Sequence, residues 1–289
     1  MRVTDFKIPT RIEEARRQLK GLGNSGFFLA GGTSLVFNKG KAGRVAVDIS
    51  RLGLDKIKKE GRGFMIGANA RIADLQEYHA NGWVLDRVAH DFVTQQIRNI
   101  CTIGGNVASI FRWNDFPVAL MVLDCELTIQ GRKKQKVSGE EYFKSQPRRF
   151  YADQGILTSI KVGALPAGTG FGYRKELKTA ADFSMVTAAA VAELDGGKIK
   201  SLRVAAGSAL PFPRRLTAVE KLLTGVEVPK GCLCEGAFME QVKAGIADIP
   251  WKGYVGLSDA YAAQLAAVTV RDAIAAAVKE VRCGGKNNG

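Results

Sequence analysis

The 289 residues carry 42 Lys and Arg against 28 Asp and Glu, a formal net charge of +14, with 46% hydrophobic and 24% charged residues. That balance suits two or three domains with buried cores and excludes a disordered or low-complexity chain. No uninterrupted apolar stretch reaches the roughly 20 residues of a membrane span, Met1–Lys20 lacks the apolar core of a secretory signal, and five scattered cysteines make no disulfide framework, so a reduced, cytoplasmic protein is expected.

Taken in chain order, Thr10 and Glu13 form a capping box, and Ile12, Ala15 and Leu19 share a helix face that ends at Gly21 or Gly23. Phe27–Ala30 reads as a short buried strand running into Gly31-Gly32-Thr33-Ser34, and Arg44–Ile49 as a second strand, which together suggest a small α/β unit ending near Leu54. Gly63–Gly67 is a strand. A helix carrying Ile72, Leu75 and His79 is expected to end at Asn81-Gly82, and Val88–Arg98 is also read as helical. Beyond Cys101–Asn106 lie an apolar helix over Pro117–Leu123 and strands at Glu126–Gln130 and Gly155–Val162. Ala164–Gly168 has a loop composition and marks a boundary. Met185–Leu194 and Ile199–Ala206, joined through Gly196-Gly197, spell a hairpin, and Ser258-Asp259 caps a long helix to Val281.

The basic residues occur in short groups such as Arg132-Lys133-Lys134, Arg148-Arg149 and Arg214-Arg215, with no nucleic-acid module around them, so they read as solvated faces. Gly21-Leu22-Gly23-Asn24-Ser25-Gly26 matches G-x-G-x-x-G by letter, but a helix precedes it and a strand follows. A dinucleotide fingerprint needs the reverse order, so this segment is a helix stop.

The informative loops are two others. Ala30-Gly31-Gly32-Thr33-Ser34 closes a strand, and Thr102-Ile103-Gly104-Gly105-Asn106 lies some seventy residues later. Paired glycines let successive backbone amides converge on an anion, while Thr33, Ser34, Thr102 and Asn106 add polar groups suited to phosphate or ribose oxygens. A ligand with a central pyrophosphate would use two such loops.

These segments resemble the FAD-binding subunit of the molybdenum hydroxylases, the group containing xanthine dehydrogenase, carbon monoxide dehydrogenase and 4-hydroxybenzoyl-CoA reductase. Ala30-Gly31-Gly32-Thr33-Ser34-Leu35 and Thr102-Ile103-Gly104-Gly105-Asn106-Val107 are similar to that family's two flavin loops. Ile66-Gly67-Ala68 with Asp74-Leu75, Asp115 ahead of an apolar helix, Tyr173-Arg174-Lys175 before Asp182-Phe183-Ser184, and Arg203–Ser208 with Pro213-Arg214-Arg215 continue the likeness in order.

The resemblance implies an α+β chain: a two-part FAD-binding domain of the vanillyl-alcohol-oxidase / p-cresol-methylhydroxylase type, then a smaller α+β C-terminal domain with a short antiparallel sheet. The expected domains are 1–165, with subdomains of about 1–54 and 55–165, and 168–285. It also implies non-covalent FAD, held by Leu29, Ala30, Gly31, Gly32, Thr33, Ser34, Leu35, Ala68, Thr102, Ile103, Gly104, Gly105, Asn106, Asp115, Ile156, Leu157 and Lys175. Amides of the two loops would grip the pyrophosphate, Asp115 would bond ribityl or adenosine hydroxyls, Ile156 and Leu157 would make apolar contacts, and Lys175, or as the second choice Arg174, would set positive charge near the ring.

Molybdopterin and [2Fe–2S] clusters would sit on a large and a small partner subunit. Electrons would pass from the clusters through FAD to an acceptor such as NAD. The chain itself lacks a C-x₄-C-x₂-C cluster spacing and room for a molybdopterin domain.

Two departures stand out. Lys178 replaces a frequent Arg, and Arg112-Trp113-Asn114 replaces small residues before Asp115. Cys232-x-Cys234 is no cluster motif, and His79 and His90, the only imidazoles, lie in no metal or triad pattern, so neither a metal site nor a catalytic residue of the chain's own is expected. The neighbours His90 and Asp91 are expected to point in different directions. Alternative readings are a self-sufficient flavin oxidase of the vanillyl-alcohol-oxidase fold and a basic nucleic-acid-binding protein.

Overall fold

The computed structural model describes residues 2–37, 40, 43–109, 111–144, 147–179, 181–229, 236–253 and 256–284, in two units. Cys232 and Cys234 lie outside the described residues. The first unit comprises residues 1–78, 89–110 and 125–163, and the second 79–88, 111–124 and 164–289.

In the first unit, β1 (Arg2–Lys7), β2 (Gly26–Leu29) and β3 (Gly43–Asp48) form a parallel sheet in the order β1-β3-β2. The helix α1 (Ile12–Leu22) lies on one face, where Ala15 packs with Val47, Ile49 and Ile156. Its start corrects the expected capping box. Arg11 is the N-cap, and Glu14, not Glu13, reaches back to the Thr10 amide at 3.2 Å. The chain leaves α1 through Gly23 at φ +51. The edge strand β1 carries no sustained apolar face, which is why its pattern did not announce it.

The second sheet of this unit is antiparallel, in the order β4-β5-β8-β6-β7, with β4 Ile57–Glu60, β5 Gly63–Gly67, β6 Glu126–Gln130, β7 Lys134–Ser138 and β8 Ile156–Gly163. The connections carry short helices: α2 Ile72–Glu77, α4 Gln95–Arg98, α5 Ile103–Ala108 and α7 Gly139–Lys144. The helix expected to reach Asn81 stops at Glu77, so His79 is not on it. The segment read as one helix over 88–98 is broken into α3 (Leu85–His90) and α4, with Val93 at φ +36 between them. One guanidinium stabilises that break, since Arg98 Nη1 donates to the carbonyls of His90, Phe92 and Val93.

The second unit is built on an antiparallel sheet in the order β12-β11-β10-β9, with β9 Thr169–Glu176, β10 Val186–Asp195, β11 Lys198–Gly207 and β12 Arg214–Arg215. Gly196 and Gly197, both at positive φ, make the hairpin turn between β10 and β11. Among the described residues the unit also holds α6 Phe116–Val122, α8 Thr217–Leu223, α9 Ala237–Ile246, α10 Asp259–Gly284 and the start of α3. The Ser258 hydroxyl accepts the Tyr261 amide at 3.1 Å and so caps α10.

Length and hydropathy would allow α10 to cross a membrane, a candidate the reading of uninterrupted apolar runs passed over. Half of its most apolar window is buried, with Ala266, Val270, Ala273, Ile274 and Ala277 in the core of the unit. It lies close on the sheet because Gly170 and Gly172 of β9 have no side chains. A Cβ at either would overlap the carbonyl oxygens of Ala277 and Ala273 respectively.

Candidate functional site

The first glycine loop follows β2 in the first unit. Leu29 ends the strand, its carbonyl accepting the Ile49 amide at 2.9 Å. Gly32, at φ +71, then turns the chain, and the Leu35 amide closes back on the Gly32 carbonyl at 3.0 Å. Between these points the amides of Gly31, Gly32, Thr33 and Ser34 donate to no acceptor among the described residues. Four successive donors left unspent, at half-buried positions, form a nest for an anion's oxygens.

The second loop begins at Thr102, the N-cap of α5. Here the expected role of the amides needs correcting. Gly104 donates to the Ala68 carbonyl at 2.8 Å, Gly105 to the Thr102 hydroxyl at 3.1 Å, Asn106 to the Thr102 carbonyl at 2.9 Å, and Ile103 to the Ala70 carbonyl at 2.9 Å. Those amides are spent within the chain. What the glycines supply is close approach: a Cβ at Gly104 would sit 2.5 Å from the Ala68 oxygen, and one at Gly105 2.9 Å from the Thr102 hydroxyl.

The two loops meet. A Cβ on Gly31 would overlap the Ile100 carbonyl oxygen and lie 3.1 Å from Cys101 Cα, immediately before Thr102. Asn69 adds a tie that sequence reasoning missed, since its amide nitrogen donates to the Ile49 carbonyl at 2.5 Å. Ala68, one residue earlier, accepts from Gly104, so strand ends and loops share one hydrogen-bonded frame. Of the apolar residues expected at the ligand, Ile156 is committed to the core beside Ala15 and Val47, and Leu157 is buried on the same strand.

Asp115 and Lys175 are brought together in the second unit. Asp115 precedes α6, and Lys175 stands on β9. Their charged atoms are 3.5 Å apart, with side chains only 6% and 7% exposed. The Tyr173 hydroxyl donates to the same Asp115 oxygen at 2.7 Å. Tyr173 was passed over, although its spacing of two from Lys175 on a strand puts both on one face. Thr187 on β10 pairs with Lys175, and through it a buried hydroxyl row runs from Ser184 to Ser208, at 2.6 and 3.0 Å.

The departure at Arg112-Trp113 has a structural role of its own in this unit. Trp113 stacks on Phe111 at 4.8 Å between ring centres and leans on Phe183 at 4.7 Å, while Arg112 Nε donates to the Ser208 carbonyl at 2.5 Å. His90 does meet Asp91, at 3.2 Å, contrary to the expectation that they diverge, but both are largely exposed. Among the described residues no three His, Cys, Asp or Glu side chains form a metal-binding group.

The described geometry is that of an amide nest braced by a second glycine turn, and it fits a diphosphate. The model of the FAD binding domain in molybdopterin dehydrogenase matches residues 2–165, more than half of the chain. The chain belongs to this family. The CO dehydrogenase flavoprotein C-terminal domain matches residues 172–277.

Relatives of this FAD-binding family bear the assignment out. The 6-hydroxypseudooxynicotine dehydrogenase complex subunit alpha of Paenarthrobacter nicotinovorans is 30% identical over 69% of this chain and 71% of its own length. The carbon monoxide dehydrogenase medium chain of Hydrogenophaga pseudoflava is 26% identical over 76% of this chain and 80% of its own. A solved structure of carbon monoxide dehydrogenase from that organism, lacking the Mo-pyranopterin moiety of its cofactor, superposes with a TM-score of 0.85 at 26% identity, covering 96% of this chain and 97% of the other. The chain is therefore an FAD-binding oxidoreductase subunit of the molybdenum hydroxylase family, with a mixed helix-and-sheet FAD-binding domain followed by a C-terminal domain.

Proposed function

We propose that this chain is the flavin-carrying medium subunit of a multisubunit molybdenum hydroxylase. Electrons reach it from [2Fe–2S] clusters on a small subunit, a large subunit oxidises the substrate at molybdopterin, and an acceptor such as NAD takes the electrons away. The observation that carries this reading is the run of four unspent amides, Gly31 to Ser34, in a chain matched over residues 2–165 by an FAD-binding domain. The vanillyl-alcohol-oxidase type of the flavin domain, the domain limits of 1–165 and 168–285, and a cytoplasmic location belong to the same proposal.

FAD bound here supplies the redox chemistry, taking up electrons and releasing them. The chain binds, orients and tunes. Amides of Gly31, Gly32, Thr33 and Ser34 hold the diphosphate, with Leu29, Ala30 and Leu35 shaping that loop. Thr102, Ile103, Gly104, Gly105 and Asn106, seated on Ala68, brace it from the second turn. Ile156 and Leu157 back the site as core residues. Asp115 takes ribityl or adenosine hydroxyls, and Lys175 holds positive charge near the flavin ring, favouring its reduced, anionic form.

Reconstitution tests this. The purified chain should bind FAD without covalent attachment and, mixed with its large and small subunits, restore substrate-dependent reduction of an acceptor. Substrate turnover by this chain alone would contradict it.

A further inference from the structure

The sheet of the second unit sorts its side chains onto two faces. A Cβ on Gly172 would run into α10, so Tyr173 and Lys175, which alternate with Gly172 along β9, point to the other face. That face is the one α6 covers: Thr187 stands beside both Lys175 and Gly207, and a Cβ on Gly207 would come within 2.7 Å of Val118. Asp115, immediately before α6, meets Tyr173 and Lys175 there.

The three groups share one oxygen unequally. Asp115 Oδ1 accepts the Tyr173 hydroxyl at 2.7 Å, whereas the Lys175 ammonium stands 3.5 Å from the same atom. Beyond that ion pair the ammonium makes no hydrogen bond among the described residues, although its side chain is only 7% exposed. Donors of a buried ammonium are costly to leave unmade, so they point to an acceptor on a ligand.

Resting on the medium-subunit reading above, we infer that Tyr173 is a positioning residue for the flavin. Its hydroxyl occupies Asp115 Oδ1, so that Asp115 holds Lys175 at ion-pair distance without drawing its hydrogens away. They are left for an acceptor atom of the flavin ring that gains negative charge on reduction. Without the hydroxyl, the same oxygen would pull the ammonium in and cancel more of its field.

Redox titration of the purified full chain with FAD bound tests this. Tyr173→Phe keeps the buried ring and removes only the hydroxyl. FAD should stay bound, while the preference for oxidised over reduced FAD should rise about tenfold, a fall of about 30 mV in the two-electron midpoint potential. Asp115→Asn combined with Lys175→Met removes both charges together. Adding Tyr173→Phe to that pair should leave the potential where it stands, because the hydroxyl then has no ammonium to release.

An unchanged or raised potential in Tyr173→Phe would overturn the inference. So would a shift that persists in the neutral background, which would make the hydroxyl act on the ring directly. Loss of FAD from Tyr173→Phe would make Tyr173 a binding residue, and failure to fold even in excess FAD would make its hydroxyl a bond of the core; either result refutes the positioning role. A wild-type chain that binds no FAD sinks the medium-subunit reading itself, whereas a flavin-loaded wild type and an unmoved variant sink this inference alone.

Discussion

Gly31 lies so close to the carbonyl of Ile100 that only a hydrogen side chain fits between them. This contact joins two glycine turns about seventy residues apart in the sequence. The first turn can leave its amides unspent because the second holds it in place. Gly31→Ala should therefore push the turns apart, costing about 1–3 kcal/mol of stability as an overpacking substitution and weakening FAD binding with it. Thermal unfolding with and without added FAD checks this: the ligand-induced rise in Tm should shrink along with the apo Tm.

Gly32 and Thr102 separate conformation from contact. Gly32 sits at φ +71, where a β-branched residue is strained, so Gly32→Val should fold yet lose its flavin. Thr102→Ala should remove the cap on the Gly105 amide at a cost of about 1 kcal/mol, with Thr102→Ser restoring it. Flavin fluorescence released on heating measures retained cofactor in each.

Asp115 and Lys175 are a nearly buried pair, and removing either partner alone leaves the other's charge uncompensated. Asp115→Ala and Lys175→Met should each cost about 3 kcal/mol or more, the Asp115 carboxylate left by the second still accepting from the Tyr173 hydroxyl. If Lys175 sits near the ring, that second variant should lower the flavin midpoint potential while leaving FAD content intact. An unchanged potential would remove Lys175 from the site.

Glu280 on α10 gives a pH signature. Burial pushes its carboxyl up, but the Arg87 hydrogen bond, the Phe171 amide and the Arg87 charge together pull it further down, so its net shift is below the ordinary value. The Arg87 guanidinium is raised in turn by the same bidentate bond. A lowered carboxylate contributes in full above its unfolded value of roughly 4.3, and the contribution fades as pH falls through the lower folded value. Wild type should thus melt higher than Glu280→Gln at neutral pH, with the gap closing below about pH 4. A gap that persists into strong acid would contradict this.

Much of the architecture was legible where periodicity and turn chemistry agreed. The 186–207 hairpin with its paired positive-φ glycines and the Ser258-capped α10 fall where local chemistry places them. The edge strands β1, β4, β7 and β12 escaped because edges need no continuous apolar face, and the α3–α4 break depends on which carbonyls the long Arg98 side chain of α4 reaches. At the site, the glycine loops were visible as pairs. Which amides were free was not, since that depends on Ala68 standing opposite Gly104, a tertiary contact. The Asp115–Tyr173–Lys175 cluster was half visible. Each residue had a motif, but their meeting required residues 111–124 to pack in the second unit.

The most direct test is the visible absorption of the purified chain, followed by extraction of what colours it. A flavin spectrum, a stoichiometric amount of FAD released by acid without proteolysis, and no iron are the results that this account predicts. A folded protein that stays colourless and gains no thermal stability on addition of FAD would contradict it.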